Sequence, residues 1–240
     1  MNTSVEISTF SIPKILALFR AATQSLVKIE LCACEDFRST KKILDQLENI
    51  DFDQIVAKSA KEKLSEIISD LQYVDVLQQR LAHVVSTTDV LRDDLYSFSQ
   101  DTDRLATGFE PIIRLNLKQF QDAIDLYLNT TDEVHTALTE VSKNHQMLFL
   151  PISEVKSLYK YNTQILREAT KVRDIYVEGL FKFQHPASPL AVHCVPQIKD
   201  IANLYTMEQE RIVLDRFLKV ELAYSNGYDI DSDKEQISFF

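Results

Sequence analysis

Residues Ile112 to Val141 read IIRLNLKQFQDAIDLYLNTTDEVHTALTEV, and the spacing of the apolar side chains in this stretch decides the fold. Ile113, Leu117, Phe120, Ile124, Tyr127, Thr131, Val134, Leu138 and Val141 advance by alternating steps of four and three. That rhythm puts them on one face of a helix, and it is the rhythm of a seam that packs against other helices. Only three Gly and six Pro occur in the 240 residues, too few for the turns of a many-stranded sheet.

The same rhythm extends to either side. Toward the N-terminus, Ile12, Ile15, Phe19, Ala22, Leu26 and Ile29 predict a first helix starting near Pro13, a favoured residue in a first turn, and ending around Asp36. Ser39 then reads as the N-cap of a short segment up to Asn49, with Asp51 or Asp53 capping the next helix. From Phe52 to Ala106 no Gly or Pro intervenes, and a seam from Leu64 through Leu77 and Leu91 to Leu105 predicts one continuous central helix over 52–106. Gly108 and Pro111 are expected to stop it before another helix starts. Pro151 separates that helix from a further one, whose seam Val155, Leu158, Asn162, Ile165, Ala169, Val172 and Tyr176 runs toward His185 and Pro186. A last helix is predicted from Leu190 to about Tyr224.

Helices joined by short loops pack as antiparallel neighbours. The expected fold is all-α: an elongated antiparallel bundle of coiled-coil hairpins over residues 1–225, open to completion by a second copy of the chain as a homodimer. Residues 226–240 form an acidic flexible tail, with Asp229, Asp231, Asp233 and Glu235 preceding an apolar end.

Composition excludes several classes of function. Lys and Arg total 26 against 36 Asp and Glu, a net charge of −10 that opposes binding to nucleic acid. No apolar run approaches the roughly 18 residues of a membrane span. The cysteines, Cys32, Cys34 and Cys194, are odd in number, and the first two are too close for an ordinary disulfide, which points to a reducing, cytoplasmic setting. Cys32, Cys34, His185, His193 and Cys194 lack the spacing of a strong zinc site.

The stretch richest in chemistry is Leu71 to Leu81, LQYVDVLQQRL. Asp75 and Gln79 stand one turn apart, Gln72 precedes them by three and His83 follows by four, so the four make a polar stripe beside the seam. Left to itself, such a stripe is the ordinary solvated face of an amphipathic helix.

Leu71, Gln72, Tyr73, Asp75 and Gln79 resemble the pattern Leu-Gln-aromatic-x-Asp-x-x-x-Gln of the CheZ family of chemotaxis phosphatases. The resemblance covers one helical segment. It implies that Gln79 inserts into the active site of a phosphorylated response-regulator receiver domain and orients the attacking water, while Asp75 docks on the receiver's lysine and Gln72 borders the contact. It implies no cofactor in this chain, since the receiver supplies the Mg2+. The expected partner is that receiver, with no nucleic acid and no membrane involved. In that family the motif lies late in one long hairpin, whereas here two further long helices are expected after it.

Two other readings of the same residues exist. The chain is then a non-enzymatic coiled-coil scaffold in signalling, or His83 is the phosphoacceptor of a histidine phosphotransfer relay, although Val84, Val85, Ser86 and Thr87 after it lack the small and basic residues of such relays.

The tail resembles the receiver-tethering end of CheZ proteins, with Ile237, Phe239 and Phe240 as anchors that would raise effective concentration at the active helix. The terminal Gln-Ile-Ser-Phe-Phe also resembles a sliding-clamp-binding peptide. Removing residues 229–240 is expected to weaken capture of a phosphorylated receiver while leaving the rate at saturating receiver unchanged. Titration of truncated and full-length chains with one receiver checks this, and equal affinity would refute the tether.

Overall fold

The computed structural model describes residues 12–48, 62, 65, 67, 72–97, 102–144, 152–183, 203, 205 and 207–225. Five helices are defined among them: α1 (Ile12–Glu48), α2 (Tyr73–Ser97), α3 (Thr102–Asn144), α4 (Ile152–Phe183) and α5 (Glu208–Ser225). The fold is an all-α helical bundle with no strand among the described residues. None of the described helices is long and apolar enough to cross a membrane.

The helices divide between two compact units. One comprises residues 21–82 and 120–174, the other residues 1–20, 83–119 and 175–240, so α1 to α4 each supply a stretch to both. The first of these is a four-helix bundle in which every neighbouring pair runs antiparallel. Asp36 meets Tyr73 while Glu30 meets Gln78, which sets α1 against α2. Tyr73 stacks on Tyr127 while Arg80 bonds Asp122, which sets α2 against α3. Thr131 bonds Asn162 while His135 stacks on Tyr159, which sets α3 against α4. Cys32 with Gln164 and Ser39 with Tyr161 close the ring between α1 and α4.

The seams face inward as their spacing requires. Phe120, Ile124, Tyr127, Val134, Leu138 and Val141 of α3 are buried in this unit, as are Val155, Leu158, Ile165, Ala169 and Val172 of α4. At about 25 cal/mol per Å² of apolar surface removed from water, each such side chain favours the folded state by roughly 1.5–3 kcal/mol. The Thr131 hydroxyl lies 2.9 Å from the Tyr127 carbonyl and 3.0 Å from Asn162 Oδ1, which share its one hydrogen, so two polar seam residues meet each other.

In the other unit, Asn116 is fully buried and organises a small network. Its Nδ2, with two hydrogens to give, lies 3.2 Å from the Val84 carbonyl, 3.1 Å from Thr88 Oγ1 and 3.0 Å from the Tyr176 hydroxyl, so that the three acceptors share them. Thr88 and Tyr176 also bond each other at 2.7 Å. The start of α5 is closed by Glu210, whose Oε2 accepts the Met207 amide at 3.3 Å, while the Arg211 amide donates to the Met207 carbonyl at 3.2 Å. The glutamate contributes its half of a capping box, reaching back to the amide that precedes the helix.

Four boundaries differ from those expected of the sequence. Helix α1 does not end at Asp36 and Ser39 is no N-cap: one helix continues to Glu48, because Asp36 and Thr40 continue the inward face and find buried surroundings. Gly108 and Pro111 do not stop a helix: both lie inside α3, which begins at Thr102. A proline there forfeits one rung and costs about 3 kcal/mol, offset by burial of Ile112, Ile113 and Leu115 immediately after it. The central helix predicted over 52–106 is therefore replaced near its C-terminal end by α2, ending at Ser97, and the start of α3; residues 49–61 and 98–101 lie outside the described set. The last helix begins at Glu208, not Leu190, since residues 203, 205 and 207 are not helical.

Burial pushes the Tyr176 phenol up to about 12 from the usual 10.0. The Tyr73, Tyr127 and Tyr205 phenols are raised as well, again chiefly by burial. Because the folded state favours the protonated phenol, this contribution to stability is complete below pH 10 and is lost as pH rises from 10.0 toward 12. Helix content followed by circular dichroism should therefore fall in that window together with the rise of tyrosinate absorbance. Full ionisation of all tyrosines with helix content intact would contradict the burial described.

Candidate functional site

Helix α2 starts one residue after Gln72. The Val76 amide donates to the Gln72 carbonyl at 3.2 Å, the first rung of the helix, and Gln72 itself is an exposed turn residue. The stripe seen in the sequence therefore lies at the N-terminal end of α2, and not near the middle of a longer helix. Asp75 falls in the first turn. A carboxylate there is favoured by the positive end of the helix dipole.

Asp75 and Gln79 are both exposed, one turn apart. Between and around them the helix is anchored on three sides. Val74, Leu77 and Leu81 are buried in the seam. Toward α1, Gln78 Nε2 donates to Glu30 Oε1 at 3.2 Å and to Cys34 Sγ at 3.4 Å. Toward α3, the buried Arg80 guanidinium forms an ion pair with Asp122, which is partly exposed. These contacts fix the rotation of α2 about its axis, so that the face carrying Gln72, Asp75 and Gln79 is the one turned to solvent.

His83 leaves the stripe. Its Nδ1 bonds Glu210 Oε1 at 2.6 Å, its side chain retains 16% exposure, and the Tyr205 ring lies with its centroid 6.0 Å away. Glu210 is buried and also caps α5 with its other oxygen. His83 thus works as a structural partner of that cap. Ile237, Phe239 and Phe240 lie outside the described residues, as do His185, His193 and Cys194.

The support under the motif is not apparent from the stripe alone. Asp36 of α1 is completely buried. Its Oδ2 accepts from the Tyr127 hydroxyl at 2.9 Å and from the Tyr73 hydroxyl at 3.4 Å, and its Oδ1 lies 3.1 Å from His135 Nε2. A carboxylate only accepts, so Nε2 carries the hydrogen of that bond. His135 Nδ1 is buried without a hydrogen-bond partner, and its ring meets Tyr159 edge-on with centroids 5.2 Å apart. The Tyr73 and Tyr127 rings pack at 5.3 Å and 66°. A signal was present in the spacing: Ile29, Ala33, Asp36, Thr40, Leu44 and Leu47 advance by four or three, which places Asp36 on the apolar face.

Among the described residues no group of three or more His, Cys, Asp or Glu is arranged to hold a metal ion. Cys32 and Cys34 are both free, and burial raises the Cys32 thiol, with Glu35 adding to the effect. Compared with protein-family profiles, curated proteins and solved structures, the chain matches none.

Replacing Asp36 by Ala strands two phenols and an imidazole that it now receives. Loss of about 3–5 kcal/mol is expected, read as a lowered urea midpoint with an unchanged slope. A midpoint equal to that of the wild type would show that the three donors find other partners.

Proposed function

We propose that this chain is a phosphatase of the CheZ kind, stimulating dephosphorylation of an aspartyl phosphate on a response-regulator receiver domain. The observation that supports this reading is the joint exposure of Asp75 and Gln79 on one face of a helix whose other faces are anchored.

The chemistry asks little of such a protein. An aspartyl phosphate is a mixed anhydride; water attacks phosphorus in line, the bond from phosphorus to the carboxylate oxygen breaks, the receiver's aspartate carboxylate is regenerated and inorganic phosphate leaves. The receiver holds the phosphoryl oxygens with its own Mg2+ and lysine. What it lacks is a fixed water, and a neutral amide both donates to and accepts from water, so Gln79 serves as the orienting group. Asp75, in the first turn of α2, pairs with the receiver's lysine. Gln72 borders the contact from the turn before the helix. The apolar end at Ile237, Phe239 and Phe240 tethers the partner, a second copy of the chain completes the assembly, and the reaction takes place in the cytoplasm with the receiver.

Gln79→Ala is expected to reduce stimulated dephosphorylation about a hundredfold with helix content preserved, because Ala is a strong helix former and the side chain is exposed. Asp75→Ala should raise the receiver concentration needed for half-maximal stimulation. The assay is phosphate release from a panel of phosphorylated receivers with and without the chain. Wild-type protein that accelerates none of them, or Gln79→Ala with undiminished rates, would overturn the reading in favour of a non-enzymatic scaffold.

A further inference from the structure

We infer that Asp36 is a positioning residue for the motif: acting through the Tyr73 hydroxyl, it holds the first turn of α2, and with it Asp75, in the geometry needed to dock a partner. This rests on the phosphatase reading for its functional part, and on geometry alone for its structural part.

The first turn of a helix is its weakest, since its leading amides have no carbonyls to bond within the helix. Side chains of Ser, Thr, Asp or Asn ordinarily compensate at the N-cap. Here that position is Gln72, which is exposed and not one of the preferred capping types. The turn must be held from elsewhere. Tyr73, the first helical residue, supplies the hold: its ring is 6% exposed and packs on Tyr127, and its hydroxyl donates to Asp36 Oδ2 at 3.4 Å. Asp36 is in turn fixed by Tyr127 at 2.9 Å and His135 at 3.1 Å, both from α3. The carboxylate therefore ties the start of α2 to two other helices at once.

Asp75 and Gln79 differ in their dependence on this tie. Asp75 lies two residues beyond Tyr73, inside the same turn. Gln79 lies a turn further on, between Gln78 and Arg80, whose own bonds to Glu30 and Asp122 hold that part of the helix independently. Loosening Tyr73 should displace the docking carboxylate and leave the water-orienting amide in place.

Tyr73→Phe and Tyr127→Phe form the test, since each removes one hydroxyl from the same carboxylate and leaves the ring. Tyr127 makes the shorter bond, so an effect of general destabilisation would be larger in Tyr127→Phe. The expected result is the reverse at the motif. Amide hydrogen exchange over residues 72–79 rises about fivefold in Tyr73→Phe, the factor for an ordinary hydrogen bond, and stays at the wild-type level in Tyr127→Phe. With a responsive receiver, Tyr73→Phe raises the half-saturating receiver concentration by a similar factor while the saturated rate changes less than about twofold. Equal exchange over 72–79 in the two variants, or a fall confined to the saturated rate, overturns the positioning role. If wild-type chain stimulates no receiver, the phosphatase reading fails while the exchange comparison still decides whether Asp36 holds this turn.

Discussion

A carboxylate removed from water must collect hydrogen-bond donors from whatever surrounds it, and in this protein Asp36 collects them from two helices other than its own. Each of these bonds left unmade would cost about 1–3 kcal/mol, so α1, α2 and α3 favour the arrangement that brings Tyr73, Tyr127 and His135 to it together. Apolar seams alone leave helices some freedom to slide by a turn. The polar centre removes that freedom in the unit built from residues 21–82 and 120–174, because a shift of one helical turn would carry a phenol about 5.4 Å from its acceptor. The pairing of Thr131 with Asn162 acts in the same way between α3 and α4.

The consequence for function lies in what is left facing outward. Helix α2 has its apolar face in the core, Gln78 drawn to α1 and Arg80 drawn to α3, so the only orientation remaining for Asp75 and Gln79 is toward solvent. Exposed polar residues on most helices gain nothing from being rigid. On the proposed reading, one acid and one amide sit on backbone held from both sides, the condition under which a side chain can direct a water instead of merely being wetted by it. In the other unit His83, Glu210, Asn116 and Tyr176 bond their neighbours and hold the fold there.

Much of the fold was legible because helical burial has a simple period. The seam from Ile113 to Val141 and that from Val155 to Tyr176 are buried as their spacing demands, with only Asn162 less than fully covered. Where the expectation went astray, a local rule met a tertiary context that outweighed it. Pro111 is a helix breaker by local chemistry, yet the apolar residues after it favour continuing the helix. Asp36 looks like a terminus because charged side chains seldom sit on an inward face; three donors distant in sequence make it an exception. His83 looked like part of an exposed stripe because nothing local announces Glu210, 127 residues away.

The helical class, the inward seams of α1, α3 and α4, and the proximity of Asp75 to Gln79 are properties of the amino-acid sequence alone, since all three depend only on the 3.6-residue period within one helix. Which polar residues are structural and which are presented is a matter of tertiary structure. Tyr73 and His135 meet Asp36 across 37 and 99 residues of chain, and no periodicity within a helix encodes which carboxylate will meet which donor. That choice is made by the free energy of satisfying buried polar groups, which exists only once the helices have come together.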